Sequence, residues 1–235
     1  MADHGRTPDG THQGHVERLV AALDTSPAPA WSQQSGRQAL GPGGSGPRGG
    51  GRGRPAAVLA LLTRSEDPEI VLTRRPATMR HHAGQVALPG GRAEPGDRDV
   101  VATALREASE EVGLDPTTVK VAGRLQPFHV AVSSSDVTAV VATWDGAGEL
   151  GVVDPGEVAS VHRVALSVLA DPAVRVRSRF PTGQLGPAFA LPDLFVWGFT
   201  GHLLDQIISL GGWQQPWDRS RVMDVPRDYL GRRGL

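Results

Sequence analysis

The sequence contains no cysteine among its 235 residues. This absence excludes disulfide bonds, thiolate nucleophiles and metal sites built on cysteine. No hydrophobic run approaches the roughly 20 residues that a membrane-spanning helix needs. The N-terminal sequence MADHGRTPDG also lacks the apolar stretch of a signal peptide, so we expect a cytoplasmic protein.

The sequence also lacks a strong excess of either charge, since 24 Lys and Arg residues against 25 Asp and Glu residues give a net charge of −1. A balance this close to zero gives no global attraction to nucleic acid or to an anionic membrane. We therefore expect neither as a partner, and any recognition by charge has to be local. The chain is long enough for one large domain with a sizeable core and a tail.

The first part of the chain contains one segment with a helical pattern. Apolar residues recur at helical spacing and predict a short amphipathic helix over residues 14–24: Val16, Leu19, Val20 and Leu23. Residues 35–55, SGRQALGPGGSGPRGGGRGRP, are rich in Gly and Pro and have no acidic residue. We interpret them as a flexible linker, and contact of their arginines with a polyanion is the less favoured alternative. The sequence thus predicts a helix and linker over 1–55 and a folded domain over 56–235.

From residue 56 the pattern changes to short apolar runs separated by turns. The first two runs flank the turn RSEDP, which predicts a β-hairpin. The predicted strands are residues 56–63, 69–74, 85–88, 118–126, 137–144 and 158–166, and the predicted helices are 98–112 and 193–210. The residues that follow have no regular pattern. Strands around one central helix, with a second helix near the end, favour an α+β or sandwich fold.

The central predicted helix carries one apolar and one acidic stripe. Val101, Ala104, Leu105, Ala108 and Val112 form the apolar stripe, and Gly113 is placed to end the helix. Glu107, Glu110 and Glu111 are spaced to share the opposite face, and Arg106 stands one turn before Glu110, where the two can form an ion pair. Acidic helix faces are usually solvated surface. An oxygen cluster of this kind would bind a hard cation such as Mg²⁺ or Mn²⁺.

The context of this helix resembles the Nudix box. The stretch LPGGRAEPGDRDVVATALREASEEVGL places a Gly-rich turn, Gly90 and Gly91, before a helix that reads Arg-Glu-Ala-Ser-Glu-Glu-Val-Gly-Leu from residue 106. Asp97 stands where glutamate is usual in this family, and one extra residue separates it from Arg106. The resemblance implies the Nudix fold, an α+β fold in which mixed β-sheets are sandwiched between helices (an α/β/α sandwich).

The sequence before the box resembles the signature of one Nudix branch, the coenzyme A diphosphatases. The segment LTRRPATMRHHAGQVALPGG over residues 72–91 carries Arg75, Arg80 and Gly84 at that branch's spacing. Residues 186–218 also resemble the end of that subfamily. The resemblance implies hydrolysis of the diphosphate bond of coenzyme A or its derivatives. Because the arginine fork suits phosphate oxygens, Arg75 and Arg80 are favoured as substrate contacts, with Gln85 and Gly90 beside them, and a solvated basic loop is the alternative.

The resemblance also implies a metal site for Mg²⁺ or Mn²⁺. Glu107 and Glu111 are the first choices as ligands, and the carbonyl of Gly91 is placed to complete the shell. Glu110 is either a further ligand or the partner of Arg106, and we count Arg106, Glu110 and Glu111 as the catalytic residues. The general base stays open between Glu110 or Glu111 within the box and a distant carboxylate, Asp154 or Glu157.

Two other functions remain as alternatives. One keeps the chemistry and changes the substrate to ADP-ribose, another dinucleotide or a nucleoside triphosphate. The other is a Nudix-fold sensor that binds a nucleotide without cleaving it, although the intact carboxylates of the box argue against this function. The sequence leaves the oligomeric state open, with a homodimer as one option.

Overall fold

The computed structural model describes five stretches of the chain, residues 11–23, 53–79, 82–130, 133–180 and 183–230. Within them four helices form, and none of the four is long and apolar enough to cross a membrane. They are α1 (Thr11–Ala22), α2 (Val100–Val112), α3 (Leu166–Ala170) and α4 (Gly198–Gly211). Two single turns of 3₁₀-helix cover Pro116–Thr118 and Arg227–Tyr229.

Two mixed β-sheets accompany these helices. The strands are β1 (Arg54–Thr63), β2 (Glu69–Arg74), β3 (Val86–Ala87), β4 (Gly90–Arg92), β5 (Val119–Arg124), β6 (Phe128–Val130), β7 (Ser135–Trp144), β8 (Ser160–Ala165), β9 (Arg175–Arg179), β10 (Leu185–Ala190), β11 (Phe195–Val196) and β12 (Val222–Asp224). The larger sheet has the order β3-β2-β1-β7-β5, with β4 on β1, β6 on β7 and β8 on β2. The smaller sheet has the order β11-β10-β9-β12. The predicted hairpin is confirmed, because β1 and β2 pair antiparallel.

Strand β1 is buried on both faces, and this places the helices on either side of the larger sheet. Ala57, Leu59 and Leu61 belong to a core cluster that includes the apolar stripe of α2. Ala60 and Leu62 belong to a second cluster that includes α4, α1 and the smaller sheet. Since side chains alternate along a strand, the two clusters lie on opposite faces. The sheets therefore lie between helical layers.

Helix α2 has a defined beginning and end. The carboxylate of Asp99 accepts a hydrogen bond from the backbone N–H of Ala102 at 2.8 Å, which caps the first turn. At the other end Gly113 adopts a left-handed conformation, with φ of 72°, and its N–H donates to the carbonyl of Ser109. The predicted helix is confirmed, with its first turn starting two residues later than expected.

The second long helix begins later than the sequence pattern predicted. The prediction over residues 193–210 was wrong at its start, because Val196 belongs to β11 and pairs with β10. Gly198 has a φ of 66°, a left-handed conformation that a regular helix cannot continue through. From there the prediction is confirmed, and Leu203 and Ile207 are fully buried.

The sequence pattern missed strands β9 and β10, and in β9 the reason is a charged residue that points into the core. Arg175 is 1% exposed, and its guanidinium forms an ion pair with Asp205. Its guanidinium carbon lies 4.7 Å from the ring centroid of Phe189 and 4.9 Å from that of Trp217. An inward arginine held between two rings breaks the alternation of apolar and polar residues by which a strand is recognised.

The segment after α4, which was expected to be irregular, also carries regular structure. β12 pairs with β9 in parallel, from Val222 opposite Arg177 to Asp224 opposite Arg179. The turn Arg227–Tyr229 follows. The expectation was wrong because the pairing partner lies more than 40 residues away along the chain, where local periodicity carries no information.

The predicted N-terminal helix is confirmed as α1, which begins at Thr11 and packs against α4. Leu19 is fully buried, and Leu23, which follows the helix, is 4% exposed. His15 donates through Nδ1 to the carbonyl of Gly211 at 2.7 Å. The helix thus shares the main core. The division between a tail and a catalytic domain at residue 55 stays a prediction.

Candidate active site

Gly90 and Gly91, called here the Gly90–Gly91 turn or glycine turn, are the first two residues of strand β4, and they let it lie against β1 and helix α2. Gly90 has a φ of 155°, and a Cβ there would overlap the carbonyl oxygen of Ala57. A Cβ on Gly91 would lie 2.5 Å from the Oε1 atom of Glu107. Gly90 therefore needs glycine, because a side chain there would meet backbone atoms of β1, whereas a side chain at Gly91 would push the Glu107 carboxylate away from the turn.

Glu111 is buried beside the same turn. Its residue is 4% exposed, and its Oε2 atom accepts a hydrogen bond of 3.1 Å from the backbone N–H of Gly90. Burial raises the pKa of this carboxyl to about 7, although the Gly90 N–H and the charge of Arg75 act to lower it. The prediction that Glu107, Glu110 and Glu111 share the face opposite the apolar stripe was wrong for Glu111, which is buried at the border of that stripe.

Arg106 connects the turn, the loop before α2 and the glutamates. Its Nε and Nη2 atoms donate to the two oxygens of Asp97, each at 3.0 Å. The same Nη2 atom reaches the carbonyl of Arg92 at 3.0 Å and Oε1 of Glu107 at 3.1 Å. Its Nη1 atom donates to Oε2 of Glu110 at 2.8 Å, which confirms the predicted ion pair. One guanidinium thereby fixes the orientation of Glu107.

Asp97 is a site residue whose role the sequence did not reveal. The bidentate contact with Arg106 holds the pKa of its carboxyl well below the usual range. Its Oδ2 atom also accepts from the backbone N–H of Glu94 at 2.9 Å, which closes the loop onto itself. The aspartate thus fixes the loop and the arginine together.

Glu107 and Glu110 have different environments. The side chain of Glu107 is 14% exposed, and burial raises the pKa of its carboxyl, whereas Arg106 acts to lower it. The side chain of Glu110 is 59% exposed and is held by Arg106. In the described stretches no three acidic or histidine side chains converge into a ready metal cluster. Glu107 and Glu111 therefore flank the glycine turn as a pair, and Glu110 lies outside it.

The segment that resembles the coenzyme A diphosphatase signature borders this pair at Arg75. The Nε atom of Arg75 is buried and has no hydrogen-bond partner in the described part of the chain. Its backbone N–H donates to the carbonyl of Gln85 at 2.9 Å, and Oε1 of Gln85 lies 2.9 Å from Nδ1 of His82. Arg80 and His81 lie outside the described residues, so the contact predicted for Arg80 stays a prediction.

The loop that contains Glu157 brings a further carboxylate near the site. The charge of Glu157 is close enough to act on both Glu107 and Glu111, and it raises the pKa of each carboxyl. The loop is tied to the end of α2, because the N–H of Val153 donates to the carbonyl of Glu111 at 3.2 Å. Asp154 uses its Oδ1 atom to accept from the N–H of Gly156 at 2.7 Å, within its own turn.

Comparison with known proteins identifies this arrangement. The model of the NUDIX domain matches residues 53–181, which include the glycine turn, α2 and the loop of Glu157. The chain belongs to the Nudix family. The predicted α+β Nudix sandwich is thereby confirmed, with mixed sheets between helical layers. Nudix hydrolases act on phosphoanhydride bonds and generally need divalent metal ions.

Several relatives carry the name uncharacterized Nudix hydrolase NudL. The chain is 45% identical over 114 residues to the protein of Photorhabdus laumondii, covering 48% of this chain and 60% of that protein. It is 36% identical over 169 residues to that of Citrobacter koseri, covering 66% and 81%. A match to the Pectobacterium atrosepticum protein covers 45% of it, so the chain spans about half the length of some of these Nudix relatives.

Solved Nudix structures show a weaker likeness. A Nudix hydrolase from Alicyclobacillus acidocaldarius is 18% identical with a TM-score of 0.44, and the match covers 66% of this chain and 91% of that one. A MutT Nudix hydrolase from Burkholderia pseudomallei is 21% identical with a TM-score of 0.42, covering 65% and 96%.

Proposed function

We propose that this chain hydrolyses the diphosphate bond of coenzyme A or its derivatives, to adenosine 3′,5′-bisphosphate and 4′-phosphopantetheine or its derivative. The observation that carries the proposal is the placement of Arg75. Arg75 lies within the segment that resembles coenzyme A diphosphatases, its charge acts on the buried Glu111 carboxylate, and its Nε atom has no partner in the described residues. Such a group suits a phosphate oxygen of a substrate held beside the glutamates.

Glu107 and Glu111 fit a divalent cation. Both carboxylates lie against the Gly90–Gly91 turn, where no side chain intervenes, and the carbonyl of Gly91 would complete the donor set. The carboxylate of Glu111 is largely removed from water with one backbone hydrogen bond, so a positive charge beside it would offset the cost of burial. Mg²⁺ or Mn²⁺ held there would neutralise charge on the diphosphate and favour ionisation of the attacking water.

Glu157 is the better candidate for the general base. Its charge acts on both Glu107 and Glu111, whereas the carboxylate of Asp154 accepts a hydrogen bond within its own turn. A base must reach the attacking water next to the cation. In this assignment Glu157 accepts the proton, and Arg75 holds the phosphate.

The choice of base is tested by Glu157→Gln against Asp154→Asn. We expect Glu157→Gln to lower kcat by about a hundredfold to ten-thousandfold, the usual contribution of a positioned base. Asp154→Asn keeps an oxygen that can accept from Gly156, and is expected to leave kcat within a few fold. Steady-state kinetics at saturating Mg²⁺ measure both. A Glu157→Gln enzyme with unchanged kcat would remove it as the base.

The substrate proposal is tested with purified protein, Mg²⁺ or Mn²⁺, and a panel of candidate substrates. The panel holds coenzyme A, dephospho-coenzyme A, ADP-ribose, NADH and nucleoside triphosphates, and mass spectrometry identifies the products. Coenzyme A is expected to give the highest kcat/KM. Its expected products are adenosine 3′,5′-bisphosphate and 4′-phosphopantetheine. A higher kcat/KM on ADP-ribose or on a triphosphate would overturn the choice of substrate and keep the chemistry.

Arg75→Ala is expected to lower kcat/KM on coenzyme A by about tenfold to a hundredfold, because a hydrogen bond to a charged group is lost. Arg64→Ala is the matched control, since Arg64 is exposed and lies at the opposite end of β1 from the glycine turn. Dephospho-coenzyme A, which lacks only the 3′-phosphate, distinguishes the contact. An equal loss on both substrates indicates the diphosphate, and a loss on coenzyme A alone indicates the 3′-phosphate. An Arg75→Ala enzyme that matches wild type on both would show that Arg75 does not bind substrate.

A further inference from the structure

Arg74, the last residue of β2, and Arg75, which follows it, act on different parts of the protein. Val71 belongs to the core cluster on the α2 side of the larger sheet, and Leu72 to the cluster on the other side. Arg74 follows Leu72 by two positions and therefore shares its face. There its guanidinium carbon lies 4.8 Å from the ring centroid of Tyr229. Arg75, by contrast, acts on Glu111 on the α2 side.

Tyr229 is itself firmly held. The residue is 7% exposed, and its ring centroid lies 6.0 Å from that of Phe195. Its hydroxyl donates to the carbonyl of Asp193 at 3.4 Å. The neighbouring carbonyl of Asp228 occupies the space where Gly84, with φ of 71°, would carry a Cβ. The turn Arg227–Tyr229 therefore packs against both ends of the segment between Arg74 and Gly84.

The backbone of Arg74 connects this turn to the site. Its carbonyl accepts from the N–H of Ala159 at 2.7 Å, and Ala159 lies two residues after Glu157. The next residue, Arg75, donates its N–H to Gln85. A displacement of Arg74 would move Arg75, its neighbour in the chain. It would also move Glu157, through the hydrogen bond between Arg74 and Ala159.

We propose that Tyr229 is a positioning residue for hydrolysis, which holds Arg74 from the face of the sheet opposite α2 and thereby sets the placement of Arg75 and Glu157. The residue lies outside the segment that matches the NUDIX model, residues 53–181. The proposal rests on the proposed function, because Arg75 and Glu157 take their roles from it. The interaction between the ring and the guanidinium is the part of the contact that transmits the effect.

Tyr229→Leu and Arg74→Met each remove one half of this contact and keep apolar bulk. Each is expected to lower kcat/KM on coenzyme A by about tenfold, with a lower kcat and a higher KM, since Arg75 and Glu157 are both displaced. The double variant is expected to lose no more than either single one, because the two changes remove the same contact. Tyr229→Phe keeps the ring and is expected to restore activity to within a few fold of wild type.

Val225→Ala is the control for a loss of stability alone. Val225 is 6% exposed in the same terminal segment, so its truncation should lower Tm. We expect kcat/KM to stay at the wild-type value when it is assayed well below that Tm. Additive losses in the double variant, or a folded Tyr229→Leu enzyme with wild-type kinetics, would overturn the proposal. If Tyr229→Leu does not fold, Arg74→Met gives the same test.

Hydrogen–deuterium exchange tests the positioning without any substrate. In Tyr229→Leu, peptides covering 74–79 and 157–162 are expected to exchange faster while α2 stays protected, and Val225→Ala is expected to leave both peptides unchanged. Unaltered exchange in these peptides would overturn the proposal even if hydrolysis is confirmed. If exchange rises as expected but the wild-type enzyme cleaves no diphosphate, the proposed function is wrong. The structural coupling between Tyr229 and residues 74–79 and 157–162 is then still supported.

Discussion

Glu111→Gln is expected to reduce diphosphate hydrolysis by about a thousandfold, while the fold survives. Glutamine keeps the size of the side chain and an oxygen that can accept from the N–H of Gly90. It removes the charge that would hold a divalent cation, and stabilisation of transition-state charge by a metal amounts to several kcal/mol, with about 1.4 kcal/mol for each factor of ten. Glu107→Gln is expected to behave alike.

The measurement is kcat at saturating Mg²⁺ together with Tm for each variant. Glu110→Gln provides the comparison, since that side chain is 59% exposed and lies outside the pair that flanks the glycine turn. It is expected to lose less activity than either of the other two. Wild-type turnover in Glu111→Gln would remove this residue from the metal ligands. A collapse of Tm in the same variant would show a structural role instead.

Arg106→Lys is expected to lower kcat/KM by about a hundredfold and to raise the Mg²⁺ concentration needed for half-maximal activity, because residues that orient metal ligands have effects of this size. Lysine keeps the positive charge but cannot donate to both oxygens of Asp97 and still reach Glu107. Glu107 would then lose its fixed orientation beside Gly91.

Two further variants isolate this effect. Asp97→Asn should weaken the same bidentate contact and reproduce the rise in Mg²⁺ requirement in milder form. Arg98→Lys changes a neighbouring arginine whose side chain is 83% exposed, and it is expected to match wild type. An Arg106→Lys enzyme with an unchanged Mg²⁺ titration would show that the arginine does not orient the ligands.

The parts of the fold that the sequence predicted well depend on local signals. Helix α2 has a capping aspartate, a terminating glycine and an apolar stripe within fifteen residues, and all of these lie in one stretch of chain. Strands β1 and β2 are continuous apolar runs on either side of a turn. The strands that were missed depend on distant partners. β9 contains the buried Arg175, and no residue near it in the sequence predicts its contacts with Asp205 and Trp217.

The candidate site divides in the same way. The order of residues around 106–111 was sufficient to name the glutamates, and helical angles place Glu111, seven residues after Ala104, at the edge of the apolar stripe. What covers it there was not predictable from the helix alone. Glu111 is buried because the Gly90–Gly91 turn covers it, and that contact joins residues 21 apart. Glu157 could be named only as one of two distant carboxylates. Its position depends on a loop tied to the end of α2.

The docking of α1 has a consequence for how the chain is synthesised. His15 contacts Gly211, which the ribosome adds 196 residues later. At about 5–20 residues per second, this delay is on the order of 10–40 s. A helix of 12 residues is marginal on its own in water, so the segment gains its structure only when α4 is available. During that interval Leu19 and Leu23 are exposed on the nascent chain, where a chaperone that binds apolar segments can reach them. The first helix in the sequence is thus among the last elements to take its place.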